Sequence, residues 1–323
     1  MIPIMRLSSP SRSARLAAAT ALLAIAGMLG LVGCGGDTAA SAGTGPRIVV
    51  TTAPLGALVR DVVGDRAQVD VLIPANLDPH DFQPSAKDAQ RLADADLVVV
   101  SGAGLEGGMQ QSIDQARQDG TPVFDASAHV RLRTLDEHDH EGEEEGDHGH
   151  DHGAEDPHYW LDPVLMGDVA VALAPALKEH AGLDVTARAR AVRARMGDLV
   201  AQMDGMIAAV PQADRVLVTG HDSLGYLADR FHLTVVGAVI PSLSTQAEPS
   251  AAQVADVVAT IRRTHAPAIF TEVGTPKAVV DAIASDSGAR VVSLNTHAVA
   301  ADGSYATTMR ELMKAIVTGL TAR

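Results

Sequence analysis

Two α/β lobes, each with a four-stranded parallel sheet flanked by helices, joined by one long rigid linking helix, are the fold this sequence predicts. Three observations predict it. Short β-branched runs bounded by turn residues recur along the chain. Amphipathic stretches of helical period lie between most of them, and that alternation implies parallel sheets covered on their faces. A single long helical pattern then separates the first four runs from the last four.

The chain opens with Arg6, Arg12 and Arg15, an apolar run from Leu16 to Gly33, and Cys34. That is the layout of a signal peptide over residues 1–33. The run is long enough for a membrane helix to be the competing reading. Leu31-Val32-Gly33-Cys34 resembles the bacterial lipoprotein signal, and Cys34 is the only cysteine, so no internal disulfide competes for it. Several acyl chains, at roughly 0.8 kcal/mol per buried CH₂, would hold the protein to a membrane from Cys34. Residues 34–46, small and polar, read as a flexible tether.

The first lobe is expected over residues 47–183, with strands at Ile48 to Thr51, Val69 to Ile73, Leu97 to Ser101 and Pro122 to Asp125, and a helix from Pro54 to Val63. Within it, residues 136–156 contain eleven carboxylates and no basic or large apolar residue, so most of the net charge of −15 sits there. Such a segment cannot bury apolar surface and reads as a disordered loop. His138, His140, His148, His150 and His152 alternate with its acids, which suits loose, low-affinity capture of divalent ions. The acidic balance argues against nucleic acid.

The linking helix falls within residues 184–211. Val185 to Val210 is helical in period, behind Asp184 as an expected N-cap and ahead of Pro211 as a stop. Val192, Met196, Leu199, Met203 and Met206 form one apolar stripe, and the helix would be roughly 39 Å long. The second lobe, 212–323, has strands expected at Arg215 to Thr219, Thr234 to Val239, Ala268 to Thr271 and Ala289 to Leu294, with helices at Ser250 to Thr264 and Pro276 to Ser285.

Three histidines stand in Pro/Asp-rich loops far apart in the chain: His80 in LDPHDFQPS, His158 in EDPHYWLDP and His221 in VTGHDSLGY. Imidazole is the commonest metal ligand, and proline stiffens the two Asp-Pro-His turns. In parallel α/β sheets, ligands bind beyond the carboxyl ends of the strands. His80 and His221 follow strands, as do Glu272 after AIFT and His297 after VVSLNT, so a converging polar set is expected between the lobes. His129, His180, His232 and His265 lack this placement; His180 and His265 read as helix C-terminal residues that favour the dipole.

These segments, with IPSLSTQAEPS, IFTE and GSYATTMRELMKAIVTGL, resemble the metal-binding lipoprotein receptors of bacterial ABC importers for zinc and manganese. The likeness covers nearly the whole mature chain. It implies one ion held between two lobes by three histidines and a carboxylate, or by two of each, and handed to a membrane permease driven by a cytoplasmic ATPase. Carried over, the first three ligands are His80, His158 and His221. A histidine at the third position favours Zn²⁺ over Mn²⁺, as does nitrogen ligation in general. His297 stands where family members place a carboxylate, so a four-histidine site is expected, with Glu272 either an outer acceptor that orients an imidazole or a rival fourth ligand. The expected protein is a monomeric receptor, exported and lipid-anchored at a periplasmic or cell surface, and not an enzyme.

Two other readings compete. A secreted zinc hydrolase would use Glu272 as general base, yet the chain lacks HExxH and GHDSLG is not a nucleophile elbow. A surface adhesin or metal buffer would bind the ion without passing it on.

Overall fold

The computed structural model describes residues 45–75, 77–134 and 155–322. Its first sheet is built from β1 (Arg47–Val50), β2 (Gln68–Val71), β3 (Leu97–Val100) and β4 (Val123–Asp125), in the order β2-β1-β3-β4. The second is built from β5 (Val216–His221), β6 (Thr234–Ile240), β7 (Ala268–Thr271) and β8 (Arg290–Ser293), in the order β6-β5-β7-β8. Every pairing is parallel. The central strands are covered on both sides and therefore read as continuous apolar runs: LVVV of β3 is buried at every position. At the edge, β8 alternates partly buried and exposed residues.

The helices are α1 (Ala53–Val63), α2 (Ala86–Ala93), α3 (Gln110–Gln118), α4 (Pro163–Ala181), α5 (Thr186–Ile207), α6 (Gly225–Phe231), α7 (Ala251–Thr264), α8 (Lys277–Ser287) and α9 (Tyr305–Thr321). Their starts are chemically marked. Ser85 with Asp88 and Ser250 with Gln253 form capping boxes that satisfy the first free N–H groups of α2 and α7. Asp162 caps α4 by accepting from Val164 N, and Pro163 pre-sets the first turn.

The linking helix, α5, is shorter than its sequence pattern: 22 residues, about 33 Å. Its N-cap is Val185 rather than Asp184, although the Asp184 carboxylate still accepts from Thr186 N at 3.2 Å. Ile207, four residues after Met203, completes the buried stripe; Met206, one position round the helix, is only partly buried. The stripe does not bridge two separate cores. Ile48, Leu58, Leu173, Met196, Met203, Phe231, Phe270 and Met313 belong to one continuous apolar cluster, to which both sheets and α1, α4, α5, α6 and α9 contribute. The outer face of each sheet has its own smaller cluster, around Val98 and Met109 in the first and Val218 and Ile269 in the second. The described residues consequently fall in one compact unit.

Sheet topology locates the cleft. Strand order reverses between β1 and β3 and again between β5 and β7, and a crevice opens beyond the carboxyl ends at each reversal. His221 ends β5 and Glu272 directly follows β7, so the second sheet delivers both to one point. No helix among the described residues is long and apolar enough to cross a membrane. Cys34 and the five histidines of the acidic loop, His138 to His152, lie outside the described residues. The expected disordered segment ends too late, however. Glu155 pairs with Thr134 in an antiparallel bridge, and Asp156 is fully buried, because it is bonded to groups of the site described next.

Candidate metal centre

His80, His158 and His221 meet. The Nε2 of His158 lies 3.3 Å from His80 Nε2 and 3.1 Å from His221 Nε2, and one ring nitrogen from each of the three falls within 4.8 Å of the others. All three residues are buried. A tetrahedral zinc with Zn–N bonds of about 2.0–2.1 Å requires nitrogens about 3.3 Å apart. Imidazole lone pairs facing one another at that separation, shielded from water, are a cation site in both distance and chemistry.

Each ring is placed by a different device. Asp156 Oδ1 accepts from the His158 backbone N at 2.9 Å and contacts its ring Nδ1 at 2.8 Å, which directs Nε2 into the cleft. His221 Nδ1 lies 2.8 Å from Glu272 Oε1, close enough for an ion pair though out of line for a hydrogen bond. His80 is fixed through its main chain: its N donates to Asp78 Oδ1 at 3.0 Å, and its carbonyl accepts from Gln246 Nε2 of the second lobe at 2.8 Å. Thr245 Oγ1 bonds the other oxygen of Asp78.

Glu272 is fully engaged. Ser223 Oγ donates to its Oε1 at 2.5 Å, and Thr296 Oγ1 donates to its Oε2 at 2.7 Å. Thr296 also bonds His297 Nδ1 at 3.0 Å, while His297 Nε2 is buried and has no hydrogen-bond partner. His297 stacks beside His221 with ring centroids 6.5 Å apart, at the edge of the three-histidine cluster. Trp160 closes this side. Its ring lies 5.2 Å from His158 and 5.6 Å from His297, and its Nε1 donates to the Thr296 carbonyl at 2.9 Å.

The electrostatics favour a cation. Burial, aided by the neighbouring His158 and His221, pushes the His80 pKa down to about 2, and burial pulls His297 down to about 4 despite Glu272. Both rings are therefore neutral at pH 7 with lone pairs free to ligate. Burial also opposes charge on His221, but the Glu272 carboxylate outweighs it and raises that pKa. Burial likewise opposes charge on Glu272, and its histidine neighbours overcome this to hold it well below the carboxylate range.

Sequence reasoning named the histidines and Glu272 but overlooked their supports. Along the chain Asp78 and Asp156 read as parts of stiff turns; in the structure each fixes the histidine two positions on. Asp-x-His, an Asx-turn spacing, is the signal that could have shown it. Trp160 carries no such signal. Of the other histidines, His180 lies in the last turn of α4, His265 and His232 are left-handed C-caps of α7 and α6, and His129 stacks on Phe124.

Comparisons with known proteins identify relatives of this chain. The family model described as zinc-uptake complex component A, periplasmic (ZnuA) matches residues 48–319. The high-affinity zinc uptake system protein ZnuA of Bacillus subtilis is 31% identical over 265 residues, covering 80% of this chain and 81% of that one. The manganese-binding lipoprotein MntA of Halalkalibacterium halodurans is 27% identical over 288 residues, covering 87% and 90%. Among solved structures, the periplasmic zinc-binding protein TroA from Treponema pallidum superposes with a TM-score of 0.74 at 24% identity, over 86% of this chain and all of that one, a likeness of fold.

Proposed function

We propose, for a chain that belongs to the zinc-uptake complex component A family, that it captures Zn²⁺ outside the cytoplasm and delivers it to the permease of an ABC importer driven by a cytoplasmic ATPase. The observation that carries the reading is the convergence of three buried imidazole nitrogens at the spacing of a tetrahedral zinc shell. His80, His158 and His221 are the first three ligands. His297 is the fourth: its Nε2 is a buried nitrogen with no partner, and such atoms call for one. Glu272 serves as the outer carboxylate whose charge orients His221, since both its oxygens are already bonded to hydroxyls. A carboxylate so committed is no general base, which argues against hydrolysis. Four nitrogen ligands favour zinc over manganese and leave no open position for an activated water.

An anchor at Cys34 holds the protein, as a monomer, at the membrane surface; relatives named as lipoproteins support the anchor. The His-rich segment, His138 to His152, acts as a weak collector of ions beside the tight site. Metal analysis of the purified mature chain, with zinc titration of the wild type and of the four His→Ala variants, tests the site. One tight zinc per chain is expected, weakened strongly by His158→Ala or His221→Ala and less by His80→Ala. Tight binding untouched by those three substitutions would overturn the assignment, and an unchanged His297→Ala would give the fourth place to water or Glu272. Zinc-limited growth of a deletion strain separates import from mere buffering.

A further inference from the structure

Arg133 lies outside the segments that carry the metal ligands, yet three parts of the molecule meet on it. Its main chain closes the base of the acidic insert, where the Asp156 N donates to the Arg133 carbonyl at 2.8 Å beside the Thr134 to Glu155 bridge. Its guanidinium reaches inward, with Nη1 donating to Asp156 Oδ2 at 3.0 Å; the other oxygen of that carboxylate holds His158. It also reaches across to the second lobe, where Nε donates to Asp229 Oδ2 on α6 at 2.8 Å. Tyr226, also on α6, completes the junction. Its hydroxyl accepts from Arg133 N and donates to the Asp156 carbonyl, both at 2.8 Å, and the guanidinium carbon lies 5.6 Å from its ring centre. Gly225 leaves room for this arrangement, since a Cβ at that position would displace the Arg133 guanidinium.

The consequence follows from geometry. Asp156 is fully buried and can orient His158 only while its second oxygen is satisfied, and a planar guanidinium can serve that oxygen and Asp229 together from one rigid fork. We infer that Arg133 is a positioning residue for zinc retention, which holds the carboxylate behind His158 and ties it to α6, the helix that follows His221. The inference rests on the reading of His158 as a ligand. Partners behind a metal ligand set affinity by about 10–100-fold, and here the effect is expected on release, because Arg133 acts through Asp156 behind His158 and is not itself a ligand.

The test is zinc dissociation from the full mature chain into excess chelator, followed by the fluorescence of Trp160, the only tryptophan and a neighbour of His158. Arg133→Gln is expected to speed release about 10–100-fold, with one zinc still bound and association unchanged. Arg133→Lys, which keeps the charge but cannot serve both carboxylates, should fall between Arg133→Gln and wild type. Asp229→Asn loses only an exposed arm and should speed release by no more than about fivefold. Release from Arg133→Gln within about twofold of wild type would overturn the inference. So would equal acceleration by Gln and Lys accompanied by a matching loss of apo thermal stability, the signature of general loosening. A wild-type chain with no stoichiometric zinc would instead overturn the reading of the site itself.

Discussion

His158 and His221 are each backed by a buried carboxylate that is itself held by other groups, Arg133 in one case and Ser223 and Thr296 in the other. His80 differs. Among the described residues no carboxylate bonds to its ring, and its position depends on main-chain bonds from Asp78 and Gln246 within a connection that includes the exposed Leu77. The two anchored rings come from opposite lobes that share one apolar core, so their spacing is a property of the rigid body. The contrast predicts a division of labour: the fixed pair sets the spacing of the site, and the loop-borne His80 is expected to contribute less to zinc binding.

The largest expected effect comes from the fixed pair. Zinc binding by four protein ligands is worth about 10–16 kcal/mol, hence roughly 3 kcal/mol per ligand, so His158→Ala or His221→Ala should weaken zinc by about 100-fold or more in a chelator competition. His80→Ala should cost less, roughly 5–30-fold, because ordering a loop residue on binding consumes about 1–2 kcal/mol of what its bond contributes. Equal losses from all three substitutions would erase the contrast. Glu272→Gln should weaken zinc by about 10–100-fold, without changing stoichiometry, through loss of the charge that orients His221.

The contrast also has a signature in pH. The His80 pKa is lowered to about 2, so between there and about 6.5 the unfolded chain binds a proton that the folded chain refuses, and stability falls as pH falls. His221 runs the other way. Its raised pKa contributes stability that is full below about 6.5 and is lost as pH rises through the folded value. Thermal melts of metal-free protein between pH 7 and pH 5 should show a shallower acid decline in His80→Ala and a steeper one in His221→Ala; the same slope in both would remove the distinction. The smallest effect belongs to the insert: removing residues 137–152 should leave the tight zinc constant unchanged and abolish only weak ions, because Arg133 and Asp156 remain.

Much of this was legible along the chain. Alternating strands and helices, the long linking pattern and the strand-end positions of His80, His221, Glu272 and His297 are local features, and local features survive into sequence as periodicity and turn chemistry. The stiff Asp-Pro-His turns at His80 and His158 belong with them. What tertiary structure alone decided is relational. That the stripe of α5 joins a core common to both lobes, that Glu272 turns both oxygens to neighbours instead of the cleft, and that Arg133 stands behind Asp156 depend on side chains from segments 23 to 96 residues apart. A sequence records which groups are available. Only the packed chain sets which of them come within 3 Å of one another, because that distance depends on how whole sheets and helices seat together.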